Sequence, residues 1–280
     1  MRATVLFAGL TLWAGGAAAQ TMRPFTTFRQ MHGETRLTAR LEYAAGTFRM
    51  GTGRPNELYR MDLSYDQDRF LPISDFNISS ATAVLGLKAS GVGGVRVVSR
   101  NQLQQTAAVT ISPRVDLALE LTLGATDADV ELGGLRLTDL DLKTGASRAV
   151  IRFSQPNGVR CRHASISAGA AEISFLGLAN SRCDDIDFEG GMGKVTLDFG
   201  GAWSSSTHAS VKMARGELTL RLPRKAGVRL TMDKFLSHFD ASGLIRSGNE
   251  FLSPGYARAE RRLDLDLTTA VGGVNIEWVE

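Results

Sequence analysis

Apolar and polar residues alternate in short runs along most of the chain. The runs come in pairs, and a glycine or an alanine lies between the two runs of a pair. One such pair is Leu121-Thr-Leu-Gly124 with Val130-x-Leu132, and the next is Leu142-Lys-Thr-Gly145 with Ile151-x-Phe153. An alternation of period two is typical of a β-strand with one buried face. A small residue at the junction allows the backbone to bend sharply or to pack closely against its neighbour. The pattern therefore predicts pairs of short strands that meet at a corner.

This unit of two strands and a corner occurs seven times. The corners between Gly124 and Ala214 follow one another at intervals of 21, 24, 22 and 23 residues. A period of about 22 residues is the length of one coil of a β-solenoid, in which stacked coils bury an apolar column that no coil could bury alone. We therefore expect an all-β protein, a β-solenoid of stacked coils. The copies begin at Leu41, Leu121, Leu142, Ile166, Phe188, Val211 and Leu267, and the last six have their corners at Gly124, Gly145, Gly169, Gly191, Ala214 and Ala270.

Two parts of the chain lie outside this regular array. In 51–118 the strand-like pieces are loosely spaced, and we interpret them as a first layer that starts the stack. In 227–262 the apolar residues predict a cap over the open end of the column, as the ends of solenoids require. We predict an irregular N-terminal β layer over 20–118 and a regular solenoid with a terminal cap over 119–280, together in one continuous domain.

The first nineteen residues have the features of a cleaved secretory signal. Arg2 is the single charge of a short basic region, 3–13 is an apolar stretch, and Ala17-Ala18-Ala19 is a small-residue cleavage site. The alternative is an uncleaved membrane anchor, for which the apolar stretch is short. We predict a signal peptide over 1–19 and an exported protein, periplasmic or extracellular, that keeps no transmembrane segment after cleavage.

Composition excludes several functional classes. The 280 residues are 43% hydrophobic and 22% charged, which is the composition of a folded globular protein. The formal net charge of +3 is small, whereas a nucleic-acid-binding protein needs a concentrated basic face. The sequence contains no phosphate loop, no dinucleotide fingerprint and no G-x-S-x-G motif. We therefore expect a protein without enzymatic activity, without a cofactor and without a nucleic-acid partner.

The repeated unit resembles the toast-rack fold of bacterial envelope proteins, a group that includes the putative-adhesin domains and the cell-wall-active-antibiotics-response proteins. The resemblance lies in the paired strands with Gly or Ala corners, in 235–244 followed by Ser253-Pro254-Gly255-Tyr256, and in the closing Ala270-Val-Gly-Gly-Val-Asn-Ile276-Glu-Trp278. It covers most of 35–280. It implies a toast-rack fold in a bacterial envelope, and it carries over no catalytic residue.

The two cysteines are placed for a disulfide. Cys161 and Cys183 are 22 residues apart, which is one coil, and they lie eight residues after Phe153 and Phe175 in the second strands of their copies. Stacked coils are about 4.8 Å apart, within reach of a disulfide, and an exported protein meets an oxidising compartment. A redox pair and a metal site are the alternatives. A zinc site would use His163 with Asp184 or Asp185, but a disulfide would consume the thiols.

Acidic residues recur in pairs with one residue between them. Such carboxylates could bind calcium or act as an acid and a base on a polysaccharide. We favour a solvated strand face, because the pairs interleave with buried apolar residues and are expected at different offsets from their corners, so that they form no column. The pairs are Asp127 and Asp129, Asp139 and Asp141, Asp185 and Asp187, and Asp264 and Asp266.

Two arginine-rich clusters form a possible basic surface, which could meet an anionic envelope polymer or keep the sheet edges soluble. We predict a non-catalytic envelope scaffold or adhesin-like interaction module, whose partner is an envelope protein or an anionic polymer. The alternatives are a protein that binds or processes envelope polysaccharide and a stress-signalling ectodomain that works with a separate membrane protein. The basic residues are Arg221, Arg224, Lys225, Arg229, Arg258, Arg261 and Arg262.

Overall fold

The strands of the computed structural model pair side by side in one bent sheet. The structure describes residues 21–91, 104–239, 241 and 243–280, without the side chains of 234–238, and the signal peptide predicted over 1–19 lies outside them. Within these residues there are sixteen strands and two short 3-10 turns, Leu178–Ser181 and Tyr256–Arg258. The first eight strands are β1 (Met22–Gln30), β2 (Arg36–Thr52), β3 (Glu57–Asp66), β4 (Phe70–Asn77), β5 (Thr82–Ala89), β6 (Thr106–Ile111), β7 (Asp116–Glu131) and β8 (Arg136–Thr144). The others are β9 (Arg148–Arg152), β10 (Cys161–Leu176), β11 (Cys183–Asp198), β12 (Thr207–Pro223), β13 (Gly227–Phe239), β14 (Ile245–Ser247), β15 (Glu250–Leu252) and β16 (Arg262–Val279).

Successive coils pair in parallel, which confirms the predicted β-solenoid. β10 and β11 are in register from Cys161 opposite Cys183 to Phe175 opposite Leu197. On its other side β10 pairs with β8 before the corner and with β9 after it. We call the part of a coil before its corner the first arm and the part after it the second arm. Two separate short strands occur only in the coil of β8 and β9; in the other described copies one strand runs through the corner, because its ladder continues on both arms.

The corner reverses the alternation of buried and exposed residues. In β10, Ile166 and Ala168 are buried, Gly169 and Ala170 are both exposed, and Ala171 is buried again. Two consecutive outward residues shift the alternation by one position, so that both arms turn their apolar face to the same core. The first residues of the seven copies, Leu41, Leu121, Leu142, Ile166, Phe188, Val211 and Leu267, form one buried column through the ladder.

Small residues at the corner allow neighbouring coils to approach. A Cβ built on Gly191 would lie 3.0 Å from the carbonyl oxygen of Gly169, and one on Gly124 would lie 2.2 Å from that of Ala44. A second column of glycines, two residues after the corner, escaped the sequence analysis. Gly193, Gly216 and Gly272 have φ of +141°, +133° and +141°, and a Cβ on each would lie 1.8–2.0 Å from a carbonyl oxygen of the preceding coil. These positions require glycine, because an L side chain fits neither the backbone conformation nor the space.

The order and the regularity of the last strands differ from the prediction. β16, the last copy in the chain, is inserted between β12 and β13, so it does not terminate the stack. β13 lies in the region predicted to be an irregular cap, yet it is a regular parallel strand paired with β16. The boundary expected after residue 118 falls inside β7, which pairs with β2 over both arms. The sheet therefore continues from the N-terminal layer into the regular coils, because the first copy in β2 stacks directly on β7.

Asparagine side chains hold the loops that return from a second arm to the next first arm. The buried Asn157 accepts from the Leu137 amide at 2.8 Å and donates to the carbonyl oxygens of Leu137 at 2.6 Å and Ser181 at 3.1 Å. It therefore bridges the loops of three consecutive coils. Asn180 similarly donates to the carbonyl oxygen of Phe153 at 2.8 Å. Such bonds satisfy backbone groups that the ladder leaves unpaired where the strands end.

Two alanine substitutions on β11 separate the roles of the two glycine columns. Gly193→Ala is expected to lower the free energy of unfolding by about 3 kcal/mol, because it combines a positive φ with a clash against Ala171. Gly191→Ala, two residues away, is expected to cost about 1 kcal/mol or less, since alanine already stands at the equivalent corners Ala214 and Ala270. Urea unfolding followed by circular dichroism measures both, and equal losses would contradict this assignment.

Candidate functional site

The first arms of six neighbouring strands present a polar face to solvent. The strands are β8, β10, β11, β12, β16 and β13, and their outward side chains lie in three rows across the stack. We call these eighteen residues the first-arm face. Row 1 is Asp139, His163, Asp185, His208, Asp264 and Arg229. Row 2 is Asp141, Ser165, Asp187, Ser210, Asp266 and Thr231, and row 3 is Lys143, Ser167, Glu189, Lys212, Thr268 and Asp233.

Three of the four aspartate pairs lie in rows 1 and 2, at equivalent positions of their coils. The expectation that the pairs are not aligned across the stack is therefore wrong. Each lies six and four residues before its corner, at Gly145, Gly191 and Ala270. The remaining pair, Asp127 and Asp129, lies on the second arm of β7. Numbering each pair from its own corner residue would have found the alignment in the sequence.

No aspartate stands directly beside another along a row. The strands that carry aspartates alternate with β10 and β12, which carry histidine in row 1 and serine in row 2. Like charges on adjacent strands destabilise a sheet, and this arrangement avoids them. His163 Nε2 lies 3.6 Å from an oxygen of Asp187, and Lys212 Nζ lies 3.3 Å from an oxygen of Glu189. Along rows 1 and 2 of the first-arm face, strands that carry aspartates therefore alternate with strands that carry bases or hydroxyl groups.

Arginines at the margins of this face pair with its carboxylates. Arg162 donates to Asp139 at 2.7 Å, and Arg229 lies 3.1 Å from Asp264. The hydrogen bond from Arg162 and the charge of Asp139 raise the pKa of this guanidinium above its ordinary value. Burial, followed by a hydrogen bond to Asp264, raises the pKa of Tyr256, so this phenol stays protonated. The acidic charge of row 1 is thus largely balanced within the chain.

Cys161 and Cys183 form a disulfide, as predicted. They are opposite each other at the start of β10 and β11, with their Cα atoms 4.2 Å apart, and both are buried. The thiols are therefore not available to a redox partner or to a metal. His163 lies in row 1 beside Asp139 and Asp185. Across the part of the chain that the structure describes, no three His, Cys, Asp or Glu side chains converge as metal ligands.

A shallow groove runs beside row 3, where the corners carry no side chain larger than a methyl group. One stretch has a volume of about 750 Å³ and is lined by Gly124, Gly145, Gly169 and Gly191. A second stretch of about 520 Å³ passes Ala214 and Ala270, and the two share Glu189 and Gly190. We call the continuous depression the corner groove. Its wall is row 3, and the residues that line these two stretches include no aromatic side chain.

The predicted basic surface is largely neutralised. The backbone brings the two arginine clusters together, since the Gly227 amide donates to the Arg261 carbonyl oxygen at 2.9 Å. Arg221 lies 2.8 Å from Glu277, Arg224 lies 4.0 Å from Glu280, and Arg261 lies 3.4 Å from Glu260. Arg262 stacks over the ring of Tyr256 at 5.1 Å. Lys225 and Arg258 are exposed at the same end of the sheet. An interleaved set of acids and bases gives a weak field, which does not favour an anionic polymer.

The second arms carry an alternating charge row of their own. Across β7, β9, β10, β11 and β12 the outward residues are Asp127, Arg148, Glu172, Lys194 and Glu217. Arg148 lies 3.2 Å from Glu172, and Lys194 lies 3.1 Å from Glu217. Charges therefore alternate between neighbouring coils in this row of the second arms, as they do in row 1.

The stacked coils, the glycine columns and the parallel register define the architecture of this chain. The family model described as the N-terminal domain of toast_rack, DUF2154, matches residues 19–176, more than half of the chain. The chain belongs to the toast-rack family. No curated protein matches its sequence. No helix among the described residues of this toast-rack protein is long and apolar enough to cross a membrane.

The fold of this chain is shared with a solved structure. A protein from Clostridium sporogenes, described as "a putative cell adhesion protein", has 16% identity and a TM-score of 0.50 over 92% of this chain and 100% of its own. A protein from Bacteroides fragilis, described as "a putative adhesin", has 12% identity and a TM-score of 0.36 over 91% of this chain and 97% of its own. At such identities the likeness to the clostridial structure shows the fold alone.

Removing the disulfide tests what holds the middle of the stack. The chain-entropy relation gives about 3 kcal/mol for a closed loop of this size. Cys161→Ala with Cys183→Ala is therefore expected to lower the free energy of unfolding by about that amount. Urea unfolding of the double variant and of the reduced wild-type protein measures it. The two should agree with each other, and an unchanged midpoint in both would contradict a structural role for the bridge.

Proposed function

We propose that this toast-rack protein is an exported, non-catalytic, adhesin-like module that binds a protein of the cell envelope in the corner groove. The observation that carries the proposal is the groove itself, which extends from Gly124 on β7 to Ala270 on β16. Six strands at the usual spacing make it about 24 Å long. A long shallow groove across rigid strands suits an extended segment of another molecule better than a small substrate.

The chemistry of the groove favours a protein segment over a sugar chain. Its floor is backbone and small side chains, and its wall carries both signs of charge, at Lys143, Glu189, Lys212 and Asp233. A peptide offers amides and side chains of both charges to such a wall. Stacking on aromatic rings, a common contribution to carbohydrate binding, is not offered by the lining residues. An envelope protein is therefore the partner that we propose.

Export rests on two features of the chain. The signal-like residues 1–19 end where the match to the family begins, at residue 19, and the disulfide needs an oxidising compartment to form and persist. The proposal that the protein is not an enzyme rests on the same surface. Its aligned carboxylates lie in exposed rows paired with histidine, lysine and arginine, whereas an enzyme needs groups preorganised in a water-excluding site.

Site-specific photo-cross-linking in the native cell envelope tests this function. A photoreactive amino acid at Ala214, inside the groove, is expected to capture one dominant envelope protein. The same amino acid at Thr196, outward on the second arm of β11, should not capture it. Thr268→Trp fills the groove beside Ala214 and is expected to reduce the captured product at least tenfold, because an indole occupies the space of the partner.

The control is Thr219→Trp, which adds the same indole to the second arm of β12 and should leave capture unchanged. Equal capture from both positions, or capture that survives Thr268→Trp, would contradict binding in the groove. Adducts that contain glycan and no protein would replace the proposed partner by an envelope polysaccharide.

A further inference from the structure

The first-arm face contains no apolar residue, yet its charges follow an order that solvation does not require. Row 1 alternates acid and base without interruption from Asp139 to Arg229. Row 3 has the sequence base, hydroxyl, acid, base, hydroxyl, acid, from Lys143 to Asp233. Repulsion between adjacent strands accounts for the alternation along each row, but it does not require rows 1 and 3 to follow these particular orders. A surface that complements this face would place a base or a hydroxyl group opposite each of its carboxylates.

A second copy of the same face complements it through one two-fold axis. The axis lies in the plane of the face, runs parallel to the strands, and passes between β11 and β12. The rotation keeps each row opposite itself and reverses the order of the strands. It places β11 opposite β12 of the second copy, β10 opposite β16, and β8 opposite β13. Such an interface is isologous, so each contact occurs twice.

In rows 1 and 3 every carboxylate then faces a basic side chain. In row 1 the facing pairs are Asp139 with Arg229, His163 with Asp264, and Asp185 with His208. In row 3 they are Lys143 with Asp233, Ser167 with Thr268, and Glu189 with Lys212. No pair in either row joins two like charges.

Row 2 gives the same result with neutral partners. Its facing pairs are Asp141 with Thr231, Ser165 with Asp266, and Asp187 with Ser210. Each carboxylate therefore meets a hydroxyl group, which can donate a hydrogen bond to it. The nine facing pairs contain no like-charge contact and no carboxylate without a donor or a base opposite it.

Other axes parallel to this one fail. An axis between β10 and β11 places Lys143 against Lys212, and one between β12 and β16 places Glu189 against Asp233. An axis along a strand places aspartates of row 1 against each other. Like charges brought together in an interface are strongly unfavourable. Row 1 excludes the axes along these strands, and row 3 excludes the two neighbouring axes between strands, so the two rows together select this axis.

The match is limited to these six strands. Beyond them Glu120 of β7 would face Glu250 of β15, and each already lies near an arginine of its own chain, Arg40 at 3.0 Å and Arg229 at 3.8 Å. Six strands and three rows cover about 550 Å² on each copy, or about 1,100 Å² in total, at the low end for a specific interface. The intrachain ion pairs also reduce the gain, so the association must be weak and sensitive to salt.

We infer that the first-arm face is a self-association surface, through which two copies of this protein form a two-fold, salt-sensitive dimer in which the stacking directions of the two copies are opposite. The inference does not rest on the proposed function, because it concerns the purified protein alone. It stacks the two copies face to face, and their corner grooves lie along the same edge of the interface. Met192 and Val271, which are exposed and directly follow the corners Gly191 and Ala270, lie outside the nine pairs.

Charge reversal at one facing pair tests the inference. Glu189→Lys and Lys212→Glu each place two like-charge contacts in the dimer, and each is expected to raise the dimer dissociation constant at least about tenfold in low salt. Glu189→Lys presents lysine at both positions and Lys212→Glu presents glutamate at both. An equimolar mixture is therefore expected to form a heterodimer with about the affinity of the wild-type dimer. Sedimentation velocity over a range of concentrations and salt measures all three.

The mixture distinguishes self-association from a change within one chain. Glu189 and Lys212 also form an intrachain ion pair, and losing it could alter either variant alone, but it cannot make two different variants bind each other. The matched control is Lys194→Glu with Glu217→Lys, each tested singly and mixed. This pair joins the same strands at 3.1 Å on the second arms, and its variants should dimerise as the wild type does.

Thermal unfolding by circular dichroism shows that each variant is folded. A wild-type protein that stays monomeric at low salt up to millimolar concentration would overturn the inference. So would a dimer that Glu189→Lys and Lys212→Glu do not weaken, or two folded variants that fail to associate when mixed.

Discussion

The close approach of backbone to backbone at the corners is the constraint on which the structure depends. Carbonyl oxygens of Ala171, Gly193 and Gly216 lie where the next coil would otherwise carry a Cβ, at 1.8–2.0 Å. Each strand can bend there and still keep its ladder on both arms. The parallel register is therefore the same before and after the corner, and equivalent residues of successive coils fall into straight columns.

Straight columns have opposite consequences inside and outside the sheet. Inside, they stack Leu142 on Ile166 and Phe188, and each contact removes apolar surface from water. Outside, they would stack charge on like charge, which costs free energy on adjacent strands. The chain resolves this with bases or hydroxyls on the strands between its acidic ones, as at His163 between Asp139 and Asp185. The same alternation makes the outer face complementary to a copy of itself.

The proposed binding role is consistent with the stiffness of the stack. The disulfide and the loop asparagines tie successive coils into a stiff scaffold, and rigid elements hold binding groups in fixed positions. The corner groove exists for the same reason as the fold, since residues small enough to permit the corner leave a depression on its outer side. The polar rows beside it supply hydrogen bonds and charges of both signs, but no enclosed site.

Much of this fold could be predicted from the sequence. Strand alternation, the period near 22 residues and the Gly or Ala corners determined the coil, because each is a local property with a fixed spacing. The interval between Cys161 and Cys183 equals one coil and therefore determined the disulfide. The tertiary structure alone decided that β16 enters the stack between β12 and β13, since stacking order depends on which apolar faces meet and not on order along the chain. It also decided that arginines of the predicted basic surface pair with Glu277, Glu280 and Glu260. The first two glutamates are distant in sequence from their arginines. The third lies next to a turn, whose geometry cannot be deduced from the repeat period.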